Sequence, residues 1–215
     1  MSELTELLQS RWARLALKLA GVVVALGLLA TAGWLWLRYE DARGQAALAG
    51  AAEAVQQGEG PLATAEARQK AVGLLQAVLA EHGRSSAAPH AAYQLGNLRY
   101  QAGDYAAARA AYEIALAKGA GGSLRVLSAS GVGYTWEAEK NFANAVTAYD
   151  AAARGLGPKQ FFFEEALLDL ARAQALAGKP AEARATYERV LKDAPETRRA
   201  EDIRGRIAAL EPAAK

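Results

Sequence analysis

No cysteine occurs anywhere in the 215 residues. A structural disulfide, a thiolate zinc site, a cysteine nucleophile and the lipid-bearing cysteine of a bacterial lipoprotein are thereby excluded. The redox compartment stays open, since a chain without thiols suits either kind. Histidine is almost missing as well. His82 and His90 are the only two, with no carboxylate cluster beside them, too few ligands to hold a metal. Neither a glycine-rich phosphate loop, nor a nucleophile elbow, nor a paired His–Glu motif is found. The chain is therefore read as non-enzymatic, with no cofactor and no metal. Charge is nearly balanced, 25 basic against 23 acidic residues for a formal net charge of +2. The basic residues are scattered, so nucleic acid is not an expected partner.

The chain is rich in apolar residues, 52% of the total, enough for one sizeable folded region plus an appendage. Much of that apolar content follows a rhythm. Ala71, Ala108, Ala145 and Ala183 are spaced 37, 37 and 38 residues apart. Four residues after each stands a large side chain (Leu75, Tyr112, Tyr149, Tyr187), and three further on a small or branched one (Val78, Ala115, Ala152, Val190). A period of this size predicts stacked helical hairpins. Such units bury their faces only against neighbours, giving an elongated array with an extended binding surface.

Residues 89–116 form the clearest unit. Leu95 and Gly96 supply a knob and a position without a side chain, so that a partner helix can come close. Gly103 and Asp104 make the turn, and Tyr105, Ala108, Tyr112 and Ala115 form the stripe of a second helix. The next unit repeats this with Val132 and Gly133, a turn at Lys140 and Asn141, then Phe142, Ala145, Tyr149 and Ala152. The third has Leu170 and Ala171, a turn at Gly178 and Lys179, then Pro180, Ala183, Tyr187, Val190 and a terminating Pro195. On these residues the chain resembles the tetratricopeptide repeat family over about residues 46–210. Lys140 departs from the family pattern in place of a turn glycine. The first unit is the least regular, because Gly58, Gly60 and Pro61 interrupt it before a second helix starts near Thr64. Ile203, Ile207 and Leu210 mark a capping helix.

Residues 19–37 contain no charge, and a helix of that length matches a hydrocarbon core of roughly 30 Å. Trp34, Trp36 and Tyr39 cluster at one end and Trp12 precedes the other, as aromatic rings do at the two headgroup layers. Arg11, Arg14 and Lys18 precede the run, whereas Arg38 and Arg43 follow it in company with Glu40 and Asp41, which places the N-terminus in the cytoplasm. A cleaved signal peptide is the rival reading, with an A-x-A site at Ala30, Thr31 and Ala32. The apolar run continues past that site through residues 34–37, which favours a retained anchor. The expected organisation is all-α: a cytoplasmic segment 1–18, a transmembrane helix 19–38, a juxtamembrane helix 39–60, and a repeat domain 61–211 of three to four hairpins ending in the capping helix. Gly21, Gly27 and Gly33 offer small surfaces to another membrane helix.

The family resemblance implies that the first helix of each hairpin lines a concave groove. Alignment of the repeats puts Tyr93, Asn97 and Tyr100 there, equivalent to Ser130, Tyr134 and Glu137 in the next unit and Leu168, Arg172 and Ala175 in the third. Tyrosine, amide and charge together suit an extended peptide. The competing reading packs these tyrosines between hairpins. Asn97 stands where some family members hold a partner's C-terminal carboxylate, but Tyr93 replaces the lysine of that clamp. Phe161, Phe162 and Phe163 are expected to plug the joint between hairpins, at least two of the rings turning inward.

The architecture of one membrane helix leading directly into such repeats is similar to the ancillary SecYEG translocon subunit family. This implies a single-pass protein of the bacterial inner membrane with its repeats in the periplasm, beside the Sec translocon, engaging a periplasmic chaperone or emerging polypeptides. The alternative is an envelope assembly scaffold for another machine, serving cytochrome maturation, cell wall or division.

Overall fold

The computed structural model describes residues 11–210, with side chains from Leu15 onward. Residues 1–10 of the expected cytoplasmic segment, the side chains of Arg11, Trp12 and Arg14, and the last residue of the expected repeat domain lie outside the described residues. The described residues fold into helices and connections without strands: α1 (Arg11–Gly58), α2 (Ala65–Glu81), α3 (Ala88–Gln101), α4 (Tyr105–Ala117), α5 (Gly122–Ala138), α6 (Phe142–Ala153), α7 (Phe163–Leu176), α8 (Pro180–Asp193) and α9 (Ala200–Ala209). The upper part of α1 pairs with α2, and α3–α4, α5–α6 and α7–α8 are the following hairpins, closed by α9 against α8. The first helices also touch one another, α1 with α3, α3 with α5 and α5 with α7. One face of the array is therefore lined by first helices, and the second helices form its back.

The spacing motif is what packs this array. All four alanines of the repeat (Ala71, Ala108, Ala145, Ala183) have no exposed surface, and Leu75, Tyr112, Tyr149 and Tyr187 are at most 4% exposed. A small residue lets two helices close, and the large one a turn later fills the space beyond. The core is a succession of clusters and not one ball. Ala51, Val55, Leu75, Val78 and Leu98 form the first, Tyr112 and Val132 bridge the middle, and Tyr149, Phe163, Leu167, Tyr187 and Ile203 form the last.

The hairpin turns share one mechanism. Gly103, Lys140 and Gly178 each end a first helix with positive φ, at 77°, 59° and 73°. The next amide then reaches back five residues: Asp104 to Arg99, Asn141 to Trp136 and Lys179 to Gln174, at 2.8–3.0 Å, the bond that closes a left-handed helix end. Asp104 and Asn141 at once cap the second helix, accepting from the amides of Ala107 and Asn144. Thr64 does the same for α2, and Pro180 occupies the first turn of α8.

Helix α1 continues without a break from the apolar run into the first hairpin. At about 1.5 Å per residue its 48 residues span roughly 70 Å. Its apolar stretch is uncovered by the rest of the protein and meets, by length and composition, the requirement of a membrane span or of a signal sequence. Thr31 Oγ1, the one hydroxyl in residues 19–37, donates back to the Gly27 carbonyl at 2.8 Å, so its donor is satisfied within the helix.

Above the apolar stretch, α1 is clasped to the α2–α3 connection. Glu40 Oε1 lies 2.9 Å from His82 Nδ1. Asp41 Oδ1 accepts from the Ser86 amide and hydroxyl at 2.7 Å each, and Gln45 donates to the same hydroxyl at 2.8 Å. Those Ser86 bonds hold the Asp41 carboxyl below its ordinary range. Gly44 makes the approach possible, since a Cβ there would come within 2.5 Å of Ser85 Cβ. The sequence showed no carboxylate cluster beside His82; its partner is not the adjacent Glu81 but Glu40, 42 residues away.

Candidate functional site

The face lined by first helices holds a concavity of about 230 Å³ between α3, α5 and the start of α7. Tyr93, Asn97, Tyr100, Tyr112, Ser130 and Tyr134 line it, with Phe162 and Glu165 on the α7 side. The volume falls short of the ~300 Å³ at which small-molecule pockets begin and suits one side chain of a bound peptide. Five of the residues aligned on the groove face, Tyr93, Asn97, Tyr100, Ser130 and Tyr134, thus meet in one place.

Tyr112 is set there by glycine. Its ring lies on α3 at Gly96 and on α5 at Gly131, where a Cβ would come within 2.5 and 2.8 Å of ring carbons. Gly133 receives the Tyr149 ring in the same manner, at 2.5 Å. The glycines expected to admit a partner helix therefore admit that helix's aromatic side chain. The Tyr112 hydroxyl donates to Asn97 Oδ1 at 2.9 Å, leaving the Asn97 amide hydrogens for a ligand. Tyr93 and Tyr112 meet at 5.8 Å between ring centroids, and Tyr134 and Tyr149 at 5.5 Å edge to face. Burial pushes the Tyr112 hydroxyl well above its ordinary range, so it acts only as a neutral donor.

Glu137 and Arg172 are joined to each other. Arg172 holds both Glu137 oxygens, Nε to Oε1 at 3.0 Å and Nη2 to Oε2 at 2.9 Å, the planar two-point pairing that guanidinium favours. Arg172 Nη1 also donates to Asp169 Oδ1 at 2.6 Å, Tyr134 to Asp169 Oδ2 at 2.6 Å, and Tyr149 to Glu137 Oε2 at 2.8 Å. Residues from α5, α6 and α7 are thereby locked into one network across the third and fourth hairpins. Burial works against the Glu137 charge, but the bonds from Arg172 and Tyr149 prevail and hold its carboxyl below the ordinary range. At Asp169 the balance is reversed: burial raises its pKa despite Tyr134 and Arg172. Asp169, a turn before Arg172, had no motif to mark it in the sequence; its (i, i+3) position relative to Arg172 was the available signal.

Toward α9 the face opens into a second concavity of about 430 Å³, lined by Asp169, Arg172, Tyr187, Arg198, Arg199 and Arg206 together with Glu165 and Asp202. Arg199 pairs with Glu165 at 2.9 Å and Arg206 with Asp202 at 2.9 Å. Of the three consecutive phenylalanines, Phe163 is buried and Phe162 half-buried, as two inward rings require, while Phe161 is 90% exposed. Among the described residues no three histidine or carboxylate side chains converge as metal ligands.

Comparison with known proteins agrees with the repeat fold. The tetratricopeptide repeat family matches over residues 62–123 and 93–160, and a second profile of the same repeat matches 165–197, together more than half of the chain. Two solved structures are similar in fold, both from Podosopora anserina and described as a putative kinesin light chain with nearly identical TPR-like repeats. One, a form carrying a point substitution, has a TM-score of 0.59 at 19% identity and covers 79% of this chain and 85% of its own. The other has a TM-score of 0.53 at 16% identity, covering 79% and 95%. No curated protein matches the sequence.

Proposed function

The chain belongs to the tetratricopeptide repeat family, and on that premise we propose that it is a membrane-tethered scaffold whose concave face grips extended peptide segments of partner proteins. The observation that carries this reading is the aromatic pocket between α3 and α5. Tyr112, seated on Gly96 and Gly131, backs the Tyr93 ring, and Tyr149 backs that of Tyr134, so the less buried rings offer apolar area at little entropic cost, and the Asn97 amide stands ready for a peptide backbone. In the second concavity Arg172, Arg199 and Arg206 already hold carboxylates, which leaves Arg198 to extend the face toward acidic side chains or a terminal carboxylate. Tethering would confine the groove to a thin layer beside the bilayer, raising its effective concentration toward other membrane partners. Together with the architecture of the ancillary SecYEG translocon subunit family, this supports a place on the periplasmic side of the bacterial inner membrane, beside the Sec translocon and a periplasmic chaperone.

Crosslinking in intact membranes, followed by purification of the full chain and identification of what co-elutes, tests the proposal. Translocon components are the expected catch; their consistent absence would assign the scaffold to another envelope machine. Replacing Tyr93, Asn97 and Tyr134 together by alanine is expected to lower capture by at least about thirtyfold, the effect of losing ~2 kcal/mol at one hot-spot side chain. Helical content measured alongside must stay unchanged. Undiminished capture by the folded variant would place binding elsewhere than the groove.

A further inference from the structure

The first helices of the hairpins run alongside one another, and the apolar stretch of α1 is collinear with the first of them. The connections from one hairpin to the next, residues 82–87, 118–121 and 154–162, therefore lie along the edge from which that stretch projects. The turns within hairpins lie along the opposite edge. Charge separates the two. The near-edge connections carry Arg84, Lys118, Arg154 and Lys159 and no acidic residue. The turns at 59–64, 102–104, 139–141 and 177–179 set Glu59, Asp104 and Glu139 against Lys140 and Lys179.

At the foot of this edge lies a cleft of about 860 Å³, larger than either concavity of the groove. Its wall on α1 is Trp34, Leu37, Arg38 and Asp41, and its other walls are the α2–α3 and α4–α5 connections with Arg84 and Lys118. Trp34 belongs to the aromatic group ending the apolar run, so it marks headgroup depth. Arg38 stands one turn, about 6 Å, further out. Three cations thus face one carboxylate, and that carboxylate, Asp41, is already engaged by Ser86. Lys118 gives one bond to the Gly83 carbonyl at 2.7 Å and keeps two donors. The first turn of α5 also opens here, at Gly121 and Ser123, with no side-chain cap and no acidic residue, adding amide donors to the same space.

We propose that this cleft binds the phosphate headgroup of an anionic phospholipid in the leaflet beside the span, and so lays the loop edge of the array onto the membrane. The inference rests on the reading of residues 19–38 as a retained span. Phe161 gives the edge a second foothold. It stands exposed on the α6–α7 connection, edge-on to Phe162 at 4.9 Å between centroids, beside a second cleft that shares Ser123 with the first. An exposed ring on a basic loop is an interfacial anchor.

The test uses the full chain. Resistance of the chain to carbonate extraction from membranes establishes the span independently. The purified chain is then titrated in detergent with phosphatidylglycerol and with phosphatidylcholine, and bound lipid is counted by native mass spectrometry. Each basic side chain near an anionic surface is worth about a fivefold gain in affinity. Replacing Arg38, Arg84 and Lys118 by glutamine is therefore expected to lower phosphatidylglycerol affinity by on the order of a hundredfold and leave phosphatidylcholine unaffected. The Arg38→Gln, Arg84→Gln pair, which removes no hydrogen bond among the described residues, is expected to give most of that loss without disturbing the fold. Lys140→Gln with Lys179→Gln, at the far edge, is expected to leave affinity unchanged. Equal preference for both lipids by an extraction-resistant chain, undiminished preference in the cleft variants, or an equal loss in the far-edge variant would overturn the lipid site alone. Displacement of phosphatidylglycerol by millimolar inorganic phosphate would overturn it too, making the cleft a site for soluble anions. A chain released by carbonate would overturn the span together with this inference.

Discussion

Protonating Glu137 weakens the joint between the third and fourth hairpins, and the direction of its pKa fixes where. Its folded carboxyl titrates below the ordinary 4.5, so the unfolded chain takes up the proton first as pH falls. The contribution is full above about 4.5 and is lost as pH drops through the depressed value. Asp169 acts oppositely: its folded pKa lies above the ordinary 3.8, so the folded state binds that proton first and gains relative stability as pH falls toward 3.8. Glu137→Gln is expected to cost about 1–2 kcal/mol at neutral pH, the value of charge-assisted hydrogen bonds discounted for partial exposure. Urea denaturation of both proteins across pH checks this: the gap narrows below about 4.5, and a gap independent of pH would show that the Glu137 charge plays no part. Repeat alignment made Glu137 and Arg172 legible as residues of the inner face. That they face each other was not legible, because the sideways offset between neighbouring first helices depends on the tilt of one hairpin on the next, which spacing along the chain does not encode.

The hairpin is the unit the sequence spells out most plainly, since its signals are local. The alternation of small and large residues marks α2, α4, α6 and α8, and a glycine with a capping residue marks the turns. Lys140 shows what such a turn demands. It holds φ of 59° where Gly103 and Gly178 take the same conformation, and a side chain there costs about 1–2 kcal/mol. Glycine would lose some of that advantage through the greater freedom of its unfolded chain, about 0.5–1 kcal/mol. Lys140→Gly is thus expected to stabilise the array by roughly 0.5–1 kcal/mol, seen as a higher denaturation midpoint with an unchanged slope. A lower midpoint would mean that the lysine side chain makes a compensating contact. Less was legible where connections are long. In residues 154–162 nothing in three consecutive phenylalanines says which ring turns outward; the start of α7 decides it, burying Phe163 in its first turn and leaving Phe161 on the loop.

Continuity of α1 makes the orientation of the whole array a property of one helix. The breakers Gly58, Gly60 and Pro61 made legible a helix that continues out of the apolar run, but the clasp that fixes its angle joins residues more than forty positions apart, Glu40 to His82 and Asp41 to Ser86, and no local pattern announces it. Below the clasp α1 carries its apolar stretch unsupported; above it α1 is the inner helix of the first hairpin. Two alanines inserted between Arg38 and Tyr39 would keep the helix, the clasp and the groove. They would rotate the apolar stretch by about 200° relative to the array, since each residue turns the helix by roughly 100°. Trp34, Leu37 and Arg38 would then leave the cleft on the loop edge. The expected outcome is a protein that still enters the membrane and still captures peptide partners in detergent, but loses its preference for anionic lipid and its crosslinks to membrane partners. Four inserted alanines, turning the helix by about 400° and so within about 40° of the native facing, are expected to restore a large part of both. Equal crosslinking by the two insertions would mean that the helix does not transmit orientation from bilayer to groove.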